Sequence, residues 1–196
     1  MGKNNKHTVA GLFSGCGGLD LGFINSGFDV VWANDFFKEA VETYKNNIGN
    51  HIVLGDITKI PSSEIPNDFD VLLGGFPCQG FSMFGKRRFV KSQAHNPHDD
   101  IRNDLIFTYL KYVEEFNPKW FMMENVAGLV NLADGFFLQN FIKRVKELGY
   151  NNFDYKIGHV AEWLRRGLQI LVSQFDSGRG LQNFCCFIIK KKYMFV

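Results

Sequence analysis

The amino-acid sequence predicts an α/β protein whose core is a doubly wound, mostly parallel sheet. Short apolar runs rich in β-branched and aromatic residues alternate along the chain with segments whose apolar residues recur at helical spacing. This alternation is typical of βαβ units, in which helices cover both faces of the sheet. Several of the apolar runs end in glycine-containing turns, as strands do before a functional loop.

The individual elements follow from these patterns. Strands are predicted at Thr8–Phe13, Phe28–Ala33, Asp70–Leu73 and Trp120–Met123, with a further short apolar run at Ile52–Leu54. Helices are predicted at Leu19–Ser26, Phe37–Asn46 and Asp104–Glu115, the last of which ends before Asn117-Pro118. The polar stretch Arg87–Arg102 is predicted to be a long surface loop.

Length and composition restrict the class of protein. The 196 residues suffice for one domain with a sizeable core, and no uninterrupted apolar segment is long enough for a membrane span. The polar residues 1–7 contain no apolar segment, so we expect no export signal, no membrane partner and a cytoplasmic location. The four cysteines lack metal-ligand spacing, so no metal is predicted.

Charge is distributed unevenly along the chain. Residues 1–150 contain 15 Lys and Arg against 17 Asp and Glu, whereas residues 151–196 contain 7 against 3. The first part contains one local basic cluster, Lys86-Arg87-Arg88. A solvated surface is the ordinary interpretation of such a triplet, but its position just after a cysteine loop favours contact with phosphate groups.

A nucleoside pocket is predicted from three loops at successive strand ends. The glycine-rich segment Phe13–Gly18 lies between a strand and a helix, where glycines let the backbone approach a ligand. Asp35 follows about twenty residues on and can accept hydrogen bonds from ribose hydroxyls. Phe36 offers a ring face to adenine, and Asp56-Ile57 can contact its exocyclic amine. A purely structural turn and an NAD site remain open on these residues alone.

Cys78 is the candidate nucleophile. It lies in Gly74–Ser82 (sequence GGFPCQGFS), directly behind a proline and within a glycine-flanked turn that follows a buried strand. A thiol on such a loop is poorly placed for core packing and well placed for attack. Glu124 follows the strand at Trp120–Met123 and is expected to face the same side of the sheet, although a simple helix entry is the structural alternative.

Together these segments resemble the DNA (cytosine-5)-methyltransferase family, over a region from about Val9 to about Tyr155. The resemblance implies that Cys78 adds to C6 of a cytosine flipped out of double-stranded DNA and that Glu124 binds N3 and the N4 amine. It implies S-adenosylmethionine as methyl donor. The implied cofactor residues are Phe13, Ser14 and Gly15 on the methionine side, Asp35 at the ribose, and Phe36, Asp56, Ile57 and Leu105 around the adenine. The loop Phe81–Arg102 would close over the base, and Lys86, Arg87 and Arg88 would contact the DNA backbone.

The resemblance ends before the chain does. Residues 1–156 are therefore predicted to be a partial catalytic domain, and residues 157–196 a tail foreign to the family. In this tail we recognise no further family strand, no Gln-x-Arg-x-Arg segment, no target-recognition domain and no closing helix, so the fold is expected to be incomplete at its C-terminal end. Val160–Arg166 and Phe175–Ser177 match one reading frame of a transfer-RNA gene. The alternative is an ordinary helix followed by a strand such as Phe184–Ile189.

Three functions follow from these observations. The first is DNA cytosine-5 methylation, in a restriction-modification system. The second is an inactive remnant, or one half of a split enzyme that needs a complementing chain with the target-recognition domain. The third is the same chemistry on tRNA, which is disfavoured because Phe76 stands where such proteins usually have a second proline. A thiol hydrolase based on Cys78 is a poor fourth, since no histidine follows a comparable strand end.

Overall fold

A seven-stranded sheet organises the chain, as seen in a computed structural model that describes residues 6–77, 104–130, 132–159 and 183–191. The strands are β1 (Thr8–Leu12), β2 (Asp29–Asp35), β3 (Ile52–Leu54), β4 (Val71–Gly74), β5 (Trp120–Val126), β6 (Tyr150–His159) and β7 (Asn183–Lys191). Their order is β3-β2-β1-β4-β5-β7-β6. The pairs from β3 to β5 are all parallel, and β7 runs antiparallel to both β5 and β6. The predicted mostly parallel sheet is confirmed.

Four α-helices occur within the described ranges. They are α1 (Gly18–Asn25), α2 (Lys38–Asn47), α3 (Leu105–Phe116) and α4 (Phe136–Glu147). The first three match the predicted helices to within one residue at each end. The prediction did not include α4, although its buried residues Phe137, Leu138, Phe141 and Val145 recur at helical spacing.

Alternate residues of the strands pack into separate cores on the two faces of the sheet. Ala10, Leu72 and Phe121 belong to the larger core with residues of α3 and α4. Val9, Val71 and Met122 belong to a smaller one, against which residues of α1 pack. Because side chains of a strand alternate between faces, this division indicates a sheet that is covered on both sides.

The sheet continues beyond the region of resemblance. β7 lies between β5 and β6 and pairs along β5 from Trp120–Lys190 to Val126–Phe184. The expectation that no further strand follows residue 156 was therefore wrong, and the alternative strand at 184–189 falls within β7. Pairing with β7 also explains why β5 continues three residues beyond its predicted end at Met123. The tRNA-like stretches at 160–166 and 175–177 lie outside the described residues, in the connection between β6 and β7.

The strand order reverses between β1 and β4. The chain passes outward from β1 to β2 and β3, then returns to β4 on the other side of β1. In doubly wound sheets, ligands bind in the crevice at the carboxyl ends of the strands that flank such a reversal. The glycine loop follows β1 and the cysteine segment follows β4, so both predicted sites emerge at this point.

Candidate active site

The glycine loop, Phe13–Gly18, is fixed by hydrogen bonds to the end of β2. Ser14 donates its N–H to the Asn34 carbonyl (2.9 Å), and Gly15 donates its N–H to Asp35 Oδ2 (2.7 Å). Gly17 has a φ of 87°, and a Cβ there would lie 2.2 Å from Ile48 Cδ1. Only glycine satisfies both the dihedral angle and the space at this position.

Asp35 joins this loop to the start of α2. Its Oδ2 accepts the Gly15 bond, and its Oδ1 accepts a hydrogen bond from the Phe37 N–H (2.8 Å). Each carboxylate oxygen has a second lone pair, so Asp35 can still accept from ligand hydroxyls. The adjacent Phe36 is 65% exposed and makes a T-shaped contact with Phe37. An exposed ring beside a buried carboxylate is suited to a base next to its ribose.

The turn after β3 is held from both ends. Asp56 Oδ1 accepts hydrogen bonds from the N–H and the hydroxyl of Thr58, and this bonding holds the pKa of the Asp56 carboxyl below its usual value. Ile57 is buried, and its carbonyl accepts a hydrogen bond from the Tyr112 hydroxyl of α3 (2.8 Å). Leu105, the first residue of α3, packs against the larger core.

Glu124 presents an unpartnered carboxyl group next to the segment after β4. Gly74 pairs with Met123, which brings Glu124 opposite Gly75, and a Cβ on Gly75 would lie 3.3 Å from Glu124 Oε2. Glu124 Oε1 is buried and makes no hydrogen bond. Burial raises the pKa of this carboxyl to about 7. A group that titrates near neutrality can donate or accept a proton during a reaction.

Asn125, the next residue of β5, holds the backbone that leads to the predicted nucleophile. Its side-chain amide donates to the Phe76 carbonyl (3.0 Å), and Asn125 is only 2% exposed. The Phe76 ring is also buried and contacts Phe13 edge-to-face at 6.3 Å. Phe76 therefore touches both the glycine loop and the strand of Glu124.

Some predicted residues lie beyond the described part of the chain. Pro77 is the last described residue after β4, so Cys78 and the basic triplet Lys86, Arg87 and Arg88 fall outside it, as does most of the predicted loop Phe81–Arg102. Their roles stay predictions. Within the described ranges no cluster of residues suits a metal ion, and no helix combines the length and the hydrophobicity needed to cross a membrane.

Two residues of the site were missed by the sequence analysis. Asn125 directly follows Glu124, so its place in the motif was a usable signal. Tyr112 gives no such signal, because a tyrosine at helical spacing predicts only core packing. Its hydroxyl reaches the turn after β3 only through the tertiary fold.

These features define an α/β protein with a candidate ligand site at the carboxyl ends of its parallel strands. The family model of C-5 cytosine-specific DNA methylases matches residues 7–162. The chain belongs to this family.

Curated relatives agree with this assignment. The type II methyltransferase M.NgoFVII of Neisseria gonorrhoeae is 42% identical over 149 residues, which cover 76% of this chain and 38% of the relative. The type II methyltransferase M.BsuFI of Bacillus subtilis is 36% identical over 181 residues, covering 91% of this chain and 42% of the relative. The chain thus spans about 40% of the length of such relatives.

Solved structures share the fold. A protein from an E. coli prophage, described as a DNA modification methyltransferase, superposes with a TM-score of 0.70 at 25% identity, over 95% of this chain and 47% of the other. The S. pombe Dnmt2 methyltransferase superposes with a TM-score of 0.67 at 18% identity, over 98% of this chain and 52% of the other. At 18% identity the second similarity concerns the fold alone.

Proposed function

We propose that this chain is the cofactor-binding and catalytic part of a DNA cytosine-5 methyltransferase of a restriction-modification system. The observation that carries the proposal is the unpartnered carboxyl of Glu124, whose pKa is about 7, beside Gly75. Gly75 lies three residues before Cys78 in the sequence, so the proposed nucleophile follows β4 and the proposed acid lies on the neighbouring strand β5. Family membership supports the same chemistry.

The residues after β1, β2 and β3 fit S-adenosylmethionine. Ser14 Oγ is buried and makes no hydrogen bond, which leaves a polar atom at the glycine loop for a ligand group. Asp35 keeps acceptor capacity for the ribose hydroxyls, and the exposed Phe36 ring offers a face for the adenine. Phe13 and Gly15 would complete the methionine side. Asp56, Ile57 and Leu105 would complete the adenine side. When bound, the cofactor supplies the methyl group.

Cys78 and Glu124 would act on different atoms of the cytosine base. The Cys78 thiolate adds to C6 of cytosine, and the electron pair displaced from the C5–C6 bond makes C5 nucleophilic. Protonated Glu124 donates to N3 and accepts from the N4 amine, which stabilises the charge that develops as sulfur adds. After methyl transfer to C5, loss of the C5 proton re-forms the double bond and expels the thiolate.

Double-stranded DNA is the proposed partner. A stacked cytosine is inaccessible, so the base must be flipped out of the helix, and Lys86, Arg87 and Arg88 would contact the backbone around it. Residues 1–150 have a net charge of −2, so strong DNA affinity must come from elsewhere. A complementing chain with the target-recognition domain would supply it, which is the split-enzyme form of this proposal.

A second candidate is an inactive remnant, which shares the family assignment of this chain. Both the split enzyme and the remnant predict little methylation of mixed-sequence duplex DNA by this chain alone. They differ once a complementing chain is added, because only the split enzyme then gains activity.

We further propose that the reading frame runs into a transfer-RNA gene from about Gly158 onward. The nucleotide sequence tests this, since an encoded RNA unable to form a cloverleaf would contradict it.

The catalytic proposal is tested by trapping. DNA that contains 5-fluorocytosine cannot lose its C5 substituent, so the wild-type chain with S-adenosylmethionine should form a covalent adduct at high DNA concentration. We expect peptide mapping to locate the adduct at Cys78. The Cys78→Ser variant should form none, because a hydroxyl is a far weaker nucleophile at neutral pH. Cys16→Ser removes the exposed free cysteine of the glycine loop, and at saturating S-adenosylmethionine it should still form the adduct. An adduct that persists in Cys78→Ser would refute the proposal.

A further inference from the structure

A buried carboxyl group lies behind the glycine loop. Asp20, on α1, is only 1% exposed, and its Oδ2 makes no hydrogen bond. Within the described ranges Asp20 forms no ion pair. A charge placed in this way is costly unless something compensates it. None of the roles assigned above uses this carboxyl.

Asp20 and Ser14 meet at one point above β1. A Cβ on Gly11 would lie 2.6 Å from Ser14 Oγ, 2.9 Å from Asp20 Oδ1 and 3.1 Å from Asp20 Oδ2. Ser14 Oγ and Asp20 Oδ2 are both buried and both without a hydrogen bond. These two unpaired polar atoms lie side by side and form a small buried polar cluster next to the loop that is proposed to hold the cofactor.

The described ionisable groups around Ser14 and Asp20 supply no permanent positive charge to compensate the Asp20 carboxylate. Burial raises the pKa of Asp20 to about 6, and the nearby hydroxyls of Ser14 and Tyr44 lower it by less. Tyr44, on α2, is fully buried, and its hydroxyl hydrogen-bonds to His51 Nε2 (2.8 Å). Burial in turn lowers the pKa of His51, which disfavours the charged imidazolium. On the glycine loop itself, the Gly15 N–H donates to the carboxylate of Asp35.

We propose that Asp20 is a positioning residue that prepares the glycine loop for the cationic amino-acid group of S-adenosylmethionine. The ionised carboxylate accepts a hydrogen bond from the Ser14 hydroxyl, which turns the lone pairs of Ser14 Oγ toward the α-ammonium group of the ligand. The buried negative charge adds attraction for the same group. When Asp20 is protonated, it loses that charge and no longer holds the hydroxyl in this orientation. The inference rests on the proposed cofactor site.

A specific pH dependence follows by linkage. If the ligand binds to the ionised form, affinity is maximal above the pKa of Asp20 and falls as pH drops through it. With a pKa of about 6, the affinity at about pH 5.5 should be about fourfold lower than at about pH 7. The ligand amino group stays protonated across this range, so it contributes little to the change.

The test is calorimetric titration of the full chain with S-adenosylmethionine between about pH 5.5 and pH 7. We expect the fourfold loss in wild type and a weaker, pH-independent affinity in Asp20→Asn, which is nearly isosteric. Glu39→Gln changes an exposed carboxyl on α2 and should behave as wild type.

Ser14→Ala provides an independent check should Asp20→Asn fold poorly. It should lose most of the pH dependence of binding while Asp20 still titrates by carboxyl NMR, with a pKa above that of wild type because the Ser14 hydroxyl no longer lowers it. If Asp20 had only a structural role, Asp20→Asn would change the stability of the chain and leave the pH profile of binding unaltered. An unchanged pH dependence in Asp20→Asn, or a flat wild-type profile with normal binding, would overturn the inference about Asp20 and leave the proposed cofactor site intact. Absence of S-adenosylmethionine binding at every pH would overturn the proposed cofactor site as well.

Discussion

We call the carboxyl ends of β1, β2 and β3 the cofactor side and those of β4 and β5 the cytosine side. The two sides differ in how far the carboxyl groups proposed to contact a ligand already accept hydrogen bonds. On the cofactor side, both oxygens of Asp35 accept backbone N–H groups, and Asp56 is bonded within its own turn. On the cytosine side, Glu124 Oε1 is buried with no hydrogen bond. On the cofactor side the carboxyl groups proposed to face the ligand are thus already bonded, although Ser14 Oγ and Asp20 Oδ2 next to the glycine loop are unpaired. On the cytosine side the proposed catalytic carboxyl itself is unpaired.

This difference separates binding from chemistry. A loop held by its own hydrogen bonds can bind a ligand without the conformational-entropy cost of becoming ordered. A carboxyl kept unpaired by burial is costly in the free protein and becomes useful when a base arrives to pair with it. Variants on the two sides should therefore affect different measurements, and the predictions below use that separation.

The largest effect is expected for Glu124→Gln. The amide cannot supply the proton to N3, so adduct formation with 5-fluorocytosine DNA should slow by about a hundredfold or more. In wild type, the contribution of protonated Glu124 should decline as pH rises through about 7. The rate of adduct formation as a function of pH measures both effects, and a Gln variant with the wild-type rate would contradict the role of Glu124.

The same substitution should raise stability at alkaline pH. The pKa of Glu124 lies above its usual value of 4.5, so the neutral form contributes stability that is complete below about 4.5 and lost as pH rises through about 7. At pH 8 we expect Glu124→Gln to be more stable than wild type by about 2 kcal/mol, less than the full shift implies because Glu124 is partly exposed. Denaturant unfolding at about pH 5 and pH 8 tests the sign, since a variant less stable at pH 8 would contradict it.

A comparable effect on stability is expected for Asn125→Ala, which removes the hydrogen bond from the Asn125 side chain to the buried Phe76 carbonyl. The loss should destabilise the chain by about 1–3 kcal/mol and displace the segment that leads to Cys78. Asn140→Ala is the matched control, since Asn140 makes a similar side-chain bond to a carbonyl on the exposed face of α4. Equal effects of the two variants in denaturant unfolding would remove any special role for Asn125.

The sequence could predict those parts of the molecule whose signals are local. Strands β1 to β4 and helices α1 to α3 were found because their apolar periodicity and glycine turns lie within each segment. The position of β7 was missed because its pairing with β5 joins residues about sixty positions apart. The position of Glu124 at the end of β5 was expected from the sequence, and its orientation toward Cys78 stays a prediction. The positions of Asp20 next to the glycine loop and of Tyr112 at the turn after β3 depend on how helices pack on the sheet.

The smallest effect is expected for Tyr112→Phe, which removes the hydrogen bond to the Ile57 carbonyl on the cofactor side. We expect S-adenosylmethionine affinity to fall a few-fold, with stability reduced by about 1 kcal/mol. Tyr109→Phe is the counterpart on the same helix, because the Tyr109 hydroxyl bonds to Leu72 and Met122 carbonyls between β4 and β5. It should reduce stability and leave cofactor affinity nearly unchanged. If calorimetry showed a loss of cofactor affinity in Tyr109→Phe and none in Tyr112→Phe, the functional separation of the two sides would be contradicted.

The central claim is that the cofactor side is a working S-adenosylmethionine site that functions independently of the cytosine side. Calorimetric titration of wild type, Asp35→Ala and Glu124→Gln with S-adenosylmethionine at about pH 7 tests it directly, with Asp35→Asn as the variant that retains one acceptor oxygen. We predict one bound ligand per chain, an affinity at least about tenfold weaker in Asp35→Ala, and an unchanged affinity in Glu124→Gln. Equal loss in both variants, or no binding by the folded wild-type chain, would contradict the claim.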